Sequence, residues 1–314
     1  MIEVLAPAKV NLYLHVGDVR PDGLHALSSL FVFADVGDII SITPTTDAGA
    51  AVPILSISGP FTGVLEDFPL ADNLVLKAAR ALLRYAADTE QVVHSMPCLT
   101  LEKLLPVAAG IGGGSADAAA ALRGLQDFWA LHIPDTDLHA LAFQLGADVP
   151  SCLVGDPIFV TGAGEKIVPA PTLPPLSFCF ANPRVPTPTG PIFRAFDDAN
   201  PNPRAPVGMP PENFASADAF FAGLAQTRND LQVPAIAAVP VIGEAVTAMT
   251  DQPGCRLARM SGSGATVFGL FTDHRNAEAA ADQLAARGWW TAAARLMQHA
   301  AAETGAEHPA DTGA

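Results

Sequence analysis

The sequence predicts an α+β protein of two domains, and three observations carry that expectation. Strand-like and helix-like segments are mixed along the chain without the regular βαβ rhythm of a doubly wound sheet. The 314 residues, half of them hydrophobic, supply core for two ordinary domains better than for one. A strand around Cys98–Lys103 runs into a cluster of glycines and then into an alanine-rich helix, a bend with almost no side chains.

Near the start, Val10, Leu12, Leu14 and Val16 alternate with Lys9, Asn11, Tyr13 and His15. A period of two predicts a half-buried strand that carries the second set together on its other face, where it can line a cleft. Further strands are expected at Leu30–Ala34 and Asp38–Thr43. Asp72 is placed to cap a helix reaching Tyr85, with Leu76, Ala79, Leu82 and Leu83 on its apolar face. After the glycines a helix is expected from Ser115 to Trp129, and another over Leu138–Leu145 that stops at Gly146. The second half begins near Ile158. It holds a strand Leu176–Ala181, a Pro-rich stretch Asn182–Pro191 and a loop Asp198–Pro211. Helices are expected at Ala215–Leu224, Asp230–Ala237 and Val241–Met249. A strand Arg256–Met260, a turn Ser261–Gly264 and a strand Thr266–Phe271 follow. A helix Asn276–Arg287 and a strand Trp290–Ala294 finish the fold, and the small, polar tail Ala301–Ala314 reads as disordered. The expected domains are residues 1–157 and 158–300, with the tail at 301–314.

Composition excludes several functions. The formal net charge is −15, and lysine occurs only at Lys9, Lys77, Lys103 and Lys166. No basic stripe exists for a nucleic-acid backbone, so no nucleic-acid partner is expected. A nucleotide needs only a few donors, which backbone N–H groups can supply. Cys98, Cys152, Cys179 and Cys255 are widely spaced and read as reduced thiols. The start MIEVLAPAKV lacks a charged leader with an apolar run, and no stretch approaches the ~18 apolar residues of a membrane span. A cytoplasmic protein without a membrane partner is expected; monomer and homodimer are both open.

The chemistry centres on the glycine cluster. From Gly110 to Gly114, four of five residues are glycine, between a strand and a helix. Glycine costs conformational entropy on folding, and its use here makes sense if the backbone must approach something closely. A helix N-terminus presents free N–H groups and a positive dipole end, so an anion is the natural guest. A Walker A loop needs Gly-Lys-Ser/Thr, and no lysine is near. A dinucleotide fingerprint needs glycine where Ser115 stands.

The run P-x-x-x-G-I-G-G-G-S-A-D-A-A-A-A-L resembles the ATP-binding motif of the GHMP kinases, named for galactose, homoserine, mevalonate and phosphomevalonate. The resemblance covers nearly the whole chain, through Ala6–Leu12, Arg20–His25, Asp72–Leu74, Gly146–Pro150 and Met260–Ala265. It is to the branch that phosphorylates the 2-hydroxyl of diphosphocytidyl-methylerythritol. The resemblance implies the two-domain GHMP kinase fold, with a ribosomal S5 domain 2-like N-terminal domain, a ferredoxin-like C-terminal domain and a cleft between them. It also implies ATP, Mg²⁺ and a small-molecule alcohol as partners.

Phosphoryl transfer needs a held triphosphate, charge neutralisation and an oriented hydroxyl. The resemblance assigns the cradle to Pro106, Val107, Ala108, Ala109, Gly110, Ile111, Gly112, Gly113, Gly114, Ser115 and Ala116. Ser115 is also expected to cap the helix. The resemblance puts Asn73 and the neighbourhood of Lys103 at the adenine. It puts Asp148 beside the acceptor hydroxyl as base, with Lys9 as partner to developing alkoxide charge. Alone, Asp148 reads as a turn residue and Lys9 as a solvated strand lysine. Asn11 and His25 match positions that hold the methylerythritol and cytosine parts. Leu24 stands where the family has a stacking Tyr, and Phe193 is the choice for the second aromatic; a core role for it is equally open. Asp117, where the family often has Asn, reads as a first-turn acid rather than a metal ligand. No protein ligand of Mg²⁺ is assigned. The Ser261–Gly264 turn is expected to approach the site from the second domain.

Overall fold

The structure is a computed structural model that describes residues 1–47, 51–66, 68–200 and 216–298. The tail 301–314 and most of the loop expected at Asp198–Pro211 lie outside the described residues. In chain order the elements are β1 (Ile2–Val19), β2 (His25–Pro44), β3 (Ile54–Ser58), α1 (Leu74–Asp88), β4 (Pro97–Glu102), α2 (Gly113–Trp129), α3 (Asp135–Leu145) and α4 (Val149–Val154). Then come β5 (Ile158–Gly162), β6 (Lys166–Pro169), β7 (Ser177–Asn182), α5 (Thr189–Ala199), α6 (Ala217–Ala225), α7 (Gln232–Ala238) and α8 (Val241–Thr250). The fold ends with β8 (Leu257–Met260), β9 (Val267–Phe271), α9 (His274–Ala285) and β10 (Trp290–Met297). No helix among the described residues is long and apolar enough to cross a membrane.

Strand β2 is the hub. The two strands expected at Leu30–Ala34 and Asp38–Thr43 are one continuous strand. It pairs with β1 along its length, with β4 through Ile39–Pro44, with β5 through Leu27–Phe31 and with β10 at Phe33 and Ala34. The strands after residue 157 therefore add to this sheet first, with β6 pairing on β5. Beyond β10 the sheet continues through β7, β9 and β8. Helices α1 and α2 bury Val75, Leu82, Ala119 and Leu122 in one core with Ile40, Ile42 and Leu101 of the sheet. Helices α8 and α9 build a second core on β7 and β9.

The alternation in β1 does not survive intact. The register with β2 slips between Asn11 and Tyr13, where Asn11 faces Phe31 and Tyr13 faces Leu30. Leu12 is the extra residue, and a bulge of this kind reverses which face each later side chain takes. Tyr13 consequently joins Val10 and Leu12 in a shared apolar core, and Leu14 turns to the side that Lys9 and Asn11 line. The expectation that Tyr13 and His15 share the face of Lys9 and Asn11 is corrected. His15 packs on Tyr13, ring centroids 4.9 Å apart. Nor is β1 half-buried, since every residue from Ala6 to Val16 is buried.

Two proline-bearing helices were hidden in the sequence. In α4 Pro150 lies at the first turn, and in α5 Pro191 is the third residue. Proline is tolerated there because those N–H groups have no intrahelical acceptor. The Pro-rich stretch Asn182–Pro191 thus runs into a helix after Pro188. Helix α1 is capped by Asn73, whose Oδ1 accepts from Val75 N at 2.9 Å, and not by Asp72.

One buried cation ties the second half to β1. Arg259, 6% exposed, donates to Leu12 O at 2.6 Å, to Thr227 O at 2.7 Å and to Leu224 O at 3.3 Å. Burial pulls its pKa down to about 10. A lysine cannot reproduce the planar fork. Arg259→Lys is expected to cost about 2–4 kcal/mol, because buried carbonyls lose their donors; urea denaturation followed by circular dichroism measures it.

Candidate active site

The glycine loop leaves β4 and enters α2 two residues earlier than expected. Gly112 is the N-cap in the left-handed region, with φ +66°, and the first helical bond runs from Ala116 N to Gly112 O at 2.9 Å. The N–H groups of Gly113, Gly114 and Ser115 therefore have no acceptor within the helix and stand at its positive end. Ser115 is the third residue of α2, so the capping role expected of it is corrected. Close approach explains two glycines. A Cβ on Gly112 would stand 3.0 Å from Lys9 Cβ, and one on Gly110 would stand 2.3 Å from Ser261 O.

Two cavities meet at this loop and share Leu74, Ala108, Gly113 and Gly114 as walls. One, of about 240 Å³, is an apolar slot of Ile57, Leu65, Phe68, Leu70 and Val107, with Asp72, Asn73, Lys103 and Asp117 as its polar members. The other, of about 380 Å³, is lined by Lys9, Asn11, Phe31, Ser115, Asp148 and Phe193. A larger cavity of about 1140 Å³, between α5 and α7, contains none of the residues expected at the site.

In the polar cavity Lys9 Nζ lies 3.0 Å from Asp148 Oδ2 and 3.2 Å from Asn11 Oδ1, and 4.0 Å from the centroid of the Phe31 ring. Asn11 is fixed in turn by its Nδ2, which donates to Ser29 Oγ at 3.0 Å. The lysine is buried and the Asp148 side chain is 38% exposed, so the carboxylate is held by a fixed cation yet open to a ligand. Lys9 N donates to Ile111 O at 3.0 Å, which locks the strand to the loop. The far turn joins here too: Ser261 Oγ accepts from Asn11 N at 3.2 Å and donates to Gly110 O at 2.9 Å.

Lys103 does more than border the slot. It is buried, and its Nζ donates to Asp38 and, at 2.8 Å, to Asp117 Oδ2. Asp38 also accepts from Leu104 N at 2.7 Å and Leu105 N at 2.9 Å. Burial opposes the charge on Lys103, but Asp117 and Asp38 outweigh it and raise its pKa. Asp117 is the fifth residue of α2 and turns inward, so its reading as a first-turn acid is corrected. Burial raises its carboxyl to about 7 against the pull of Lys103. Asp38 went unnoticed in the sequence, where a single acid in an apolar run is unremarkable; its place before the edge of β4 had no local signature.

The other expected residues divide. His25 stacks on Phe193, ring centroids 5.1 Å apart, and its Nε2 lies 3.4 Å from Asp197 Oδ2. Phe193 lines the polar cavity; His25 reaches it only through Phe193, and Leu24 is 56% exposed and lines neither cavity. Among the described residues no three acidic, His or Cys side chains converge as a metal cage.

Comparison with known proteins identifies the family. The model of the GHMP kinases N-terminal domain matches residues 73–156, and that of the GHMP kinases C-terminal domain matches residues 214–288. A 4-diphosphocytidyl-2-C-methyl-D-erythritol kinase of Cereibacter sphaeroides is 47% identical over 300 residues, covering 94% of this chain and 99% of the relative. The chain belongs to the GHMP kinase family. An enzyme of the same description from Hyphomonas neptunium is 48% identical over 296 residues, 93% of this chain and 95% of its own. A crystal structure of 4-(cytidine 5'-diphospho)-2C-methyl-D-erythritol kinase superposes with a TM-score of 0.72 at 33% identity, over 95% of this chain and all of the other. A homoserine kinase from Cytophaga hutchinsonii, 17% identical with a TM-score of 0.64, shares the fold. The expected α+β, two-domain GHMP kinase fold is thus the observed one.

The contact at Gly110 can be tested in this kinase. Gly110→Ala puts a Cβ against Ser261 O at a φ of +76°. We expect a loss of about 1–3 kcal/mol in stability and a weaker nucleotide affinity, read by thermal denaturation and by equilibrium binding of ATP.

Proposed function

We propose that the chain transfers the γ-phosphoryl group of ATP to the 2-hydroxyl of 4-diphosphocytidyl-2-C-methyl-D-erythritol, a step of non-mevalonate isoprenoid precursor synthesis. The observation that carries this reading is the Lys9–Asp148 pair at 3.0 Å in a cavity that the N-terminus of α2 also lines. The two relatives described as kinases of this alcohol, matched over nearly their whole length, support the choice of alcohol.

In this reading the backbone from Pro106 to Ala116 cradles the triphosphate, and the three open N–H groups of α2 meet its charge. The base lies in the apolar slot beside Asn73 and Lys103. Asp148 takes the proton of the acceptor hydroxyl. That oxygen attacks the γ-phosphorus as the bond to the β-phosphate oxygen breaks, and ADP leaves. The Lys9 ammonium balances charge on the acceptor oxygen, and Asn11 holds Lys9 in place. Phe193, with His25 behind it, offers a flat face to the cytosine. Mg²⁺, if bound with the nucleotide, would supply counter-charge to its phosphates.

The reading is tested by offering the purified chain ATP and Mg²⁺ with the cytidyl alcohol, homoserine or mevalonate, and following ADP release. Release with the cytidyl alcohol alone is expected; release with homoserine instead would overturn it. Asp148→Asn is expected to lower kcat by ~10²–10⁴-fold, the usual worth of a general base, with ATP affinity unchanged. Near-normal turnover would remove Asp148 from the mechanism.

A further inference from the structure

Beneath the glycine loop, two carboxylates share one ammonium. Their oxygens are unequally served. Asp38 accepts from Leu104 N and Leu105 N on one oxygen and from Lys103 on the other. Asp117 accepts from Lys103 on Oδ2 only; its Oδ1 is buried with no partner, and the residue is 4% exposed. An ionised carboxylate has acceptor sites on both oxygens, and leaving one bare in the interior is costly. Two ionised carboxylates and one ammonium would also leave a net negative charge in a low-dielectric site.

That charge lies where it would oppose an anion. A Cβ on Gly113 would stand 3.5 Å from Lys103 Nζ and 3.6 Å from Asp38 Oδ2. Gly113 is the first residue of α2, where a phosphate would dock, and Asp117 is about one turn further along. The other charged or titratable groups around Asp117 do not relieve it. Cys152 of α4 interacts with it, but burial pushes that thiol up to about 12, so it is neutral. Lys9 of β1 is already paired with Asp148, and Asp72 at the slot with Lys77 of α1. The face that α1 buries is apolar, with Val75, Ala79 and Leu82.

We propose that Asp117 is a positioning residue that serves the nucleotide site as a neutral acid: a polyphosphate binds the glycine loop together with one proton held on the Asp117 carboxyl. The proton comes from solvent, no bond to the nucleotide is involved, and Lys103 remains charged. The proposal rests on the reading of the loop as a nucleotide site. Burial, which raises the Asp117 carboxyl to about 7, puts the effect in an accessible range. The sign follows. Below that pH the acid already carries its proton and binding takes up none. Above it, binding must draw a proton from solvent, and affinity falls as pH rises.

The test is calorimetric titration of the whole chain with Mg·ADP from pH 6 to 8.5, in pairs of buffers of different ionisation enthalpy. For the wild type we expect proton uptake that grows above pH 7, and a Kd that rises by up to about tenfold per pH unit. Asp117→Asn keeps the shape, an oxygen for Lys103 and a permanent donor. It is expected to bind at pH 8.5 as the wild type binds at pH 6, without the uptake; the difference between the two proteins cancels titration of the nucleotide itself. A flat wild-type Kd across the range, or equal uptake in Asp117→Asn, overturns the proposal. A purely structural role would instead weaken the variant equally at every pH. If Asp117→Asn does not fold, the wild-type profile and buffer pairs still decide. Absence of nucleotide binding at any pH would overturn the reading of the site as well, which is a distinct outcome.

Discussion

The site depends on one contact made without side chains, the seating of the Ser261–Gly264 turn against Gly110. Ser261 O lies 2.3 Å from the place of a Cβ on Gly110, and Gly110 O lies 2.9 Å from the place of a Cβ on Gly262. Two backbones this close exclude every residue but glycine. Ser261 Oγ then accepts from Asn11 N and donates to Gly110 O, so one hydroxyl joins β1, the loop and a turn 250 residues from Asn11. Asn229 holds the turn from behind, its Nδ2 donating to Met260 O and Gly262 O at 2.8 Å each. Backbone contacts involve no rotamers, so their geometry is more sharply defined than that of long side chains. The position of α2's N-terminus relative to Lys9 follows from that seating, because Lys9 N is bonded to Ile111 O.

Two cation clusters flank the loop, and their burial separates their work. The Lys9–Asp148 pair opens to a cavity, since Asp148 is 38% exposed. A carboxylate in that setting can meet a substrate. The Asp38–Lys103–Asp117 cluster is closed, each side chain no more than 5% exposed. Lys103 and Asp117 border the slot with little exposed surface, and the cluster sets the charge and the position of the loop's floor. A buried cluster of this kind is weak evidence for added stability, since desolvation offsets most of the attraction. Its value lies in where it puts Leu104, Leu105 and Gly113, the residues through which β4 turns into the cradle.

The glycine cradle was legible because the requirement is written in composition: a dense run of glycine between a strand and a helix has few other uses. Lys9 and Asp148 were legible only through resemblance, as nothing local in either marks a partner 139 residues away. The bulge at Leu12 was not legible. Alternation of apolar and polar residues continues smoothly through it, and only the partner strand reveals the extra residue. The helices α4 and α5 were hidden by Pro150 and Pro191, since proline marks a helix start and a loop equally well. Short strands such as β3 and β6 take their order from pairing rather than from their own sequence.

The bulge has the largest chemical consequence of these. With strict alternation, Tyr13 and His15 would extend the face of Lys9 and Asn11, and the cavity would be floored by two bulky rings. The slip sends Tyr13 into the core beside Val10 and Leu12, and gives the cavity Leu14 instead. Past the bulge, β1 leans to the second half of the molecule: Leu14 N donates to Arg228 O at 2.9 Å, Asp230 N donates to Leu14 O at 2.8 Å, and Val16 N donates to Asp230 Oδ2 at 2.8 Å. The same extra residue thus clears room beside Lys9 and ties the strand that carries Lys9 to the half that supplies Ser261 and Phe193. A phosphoryl acceptor enclosed between the two halves needs both results. A strand without the bulge could deliver the lysine to the loop or reach the second half in register, but its fixed alternation would put Tyr13 into the cavity beside Lys9.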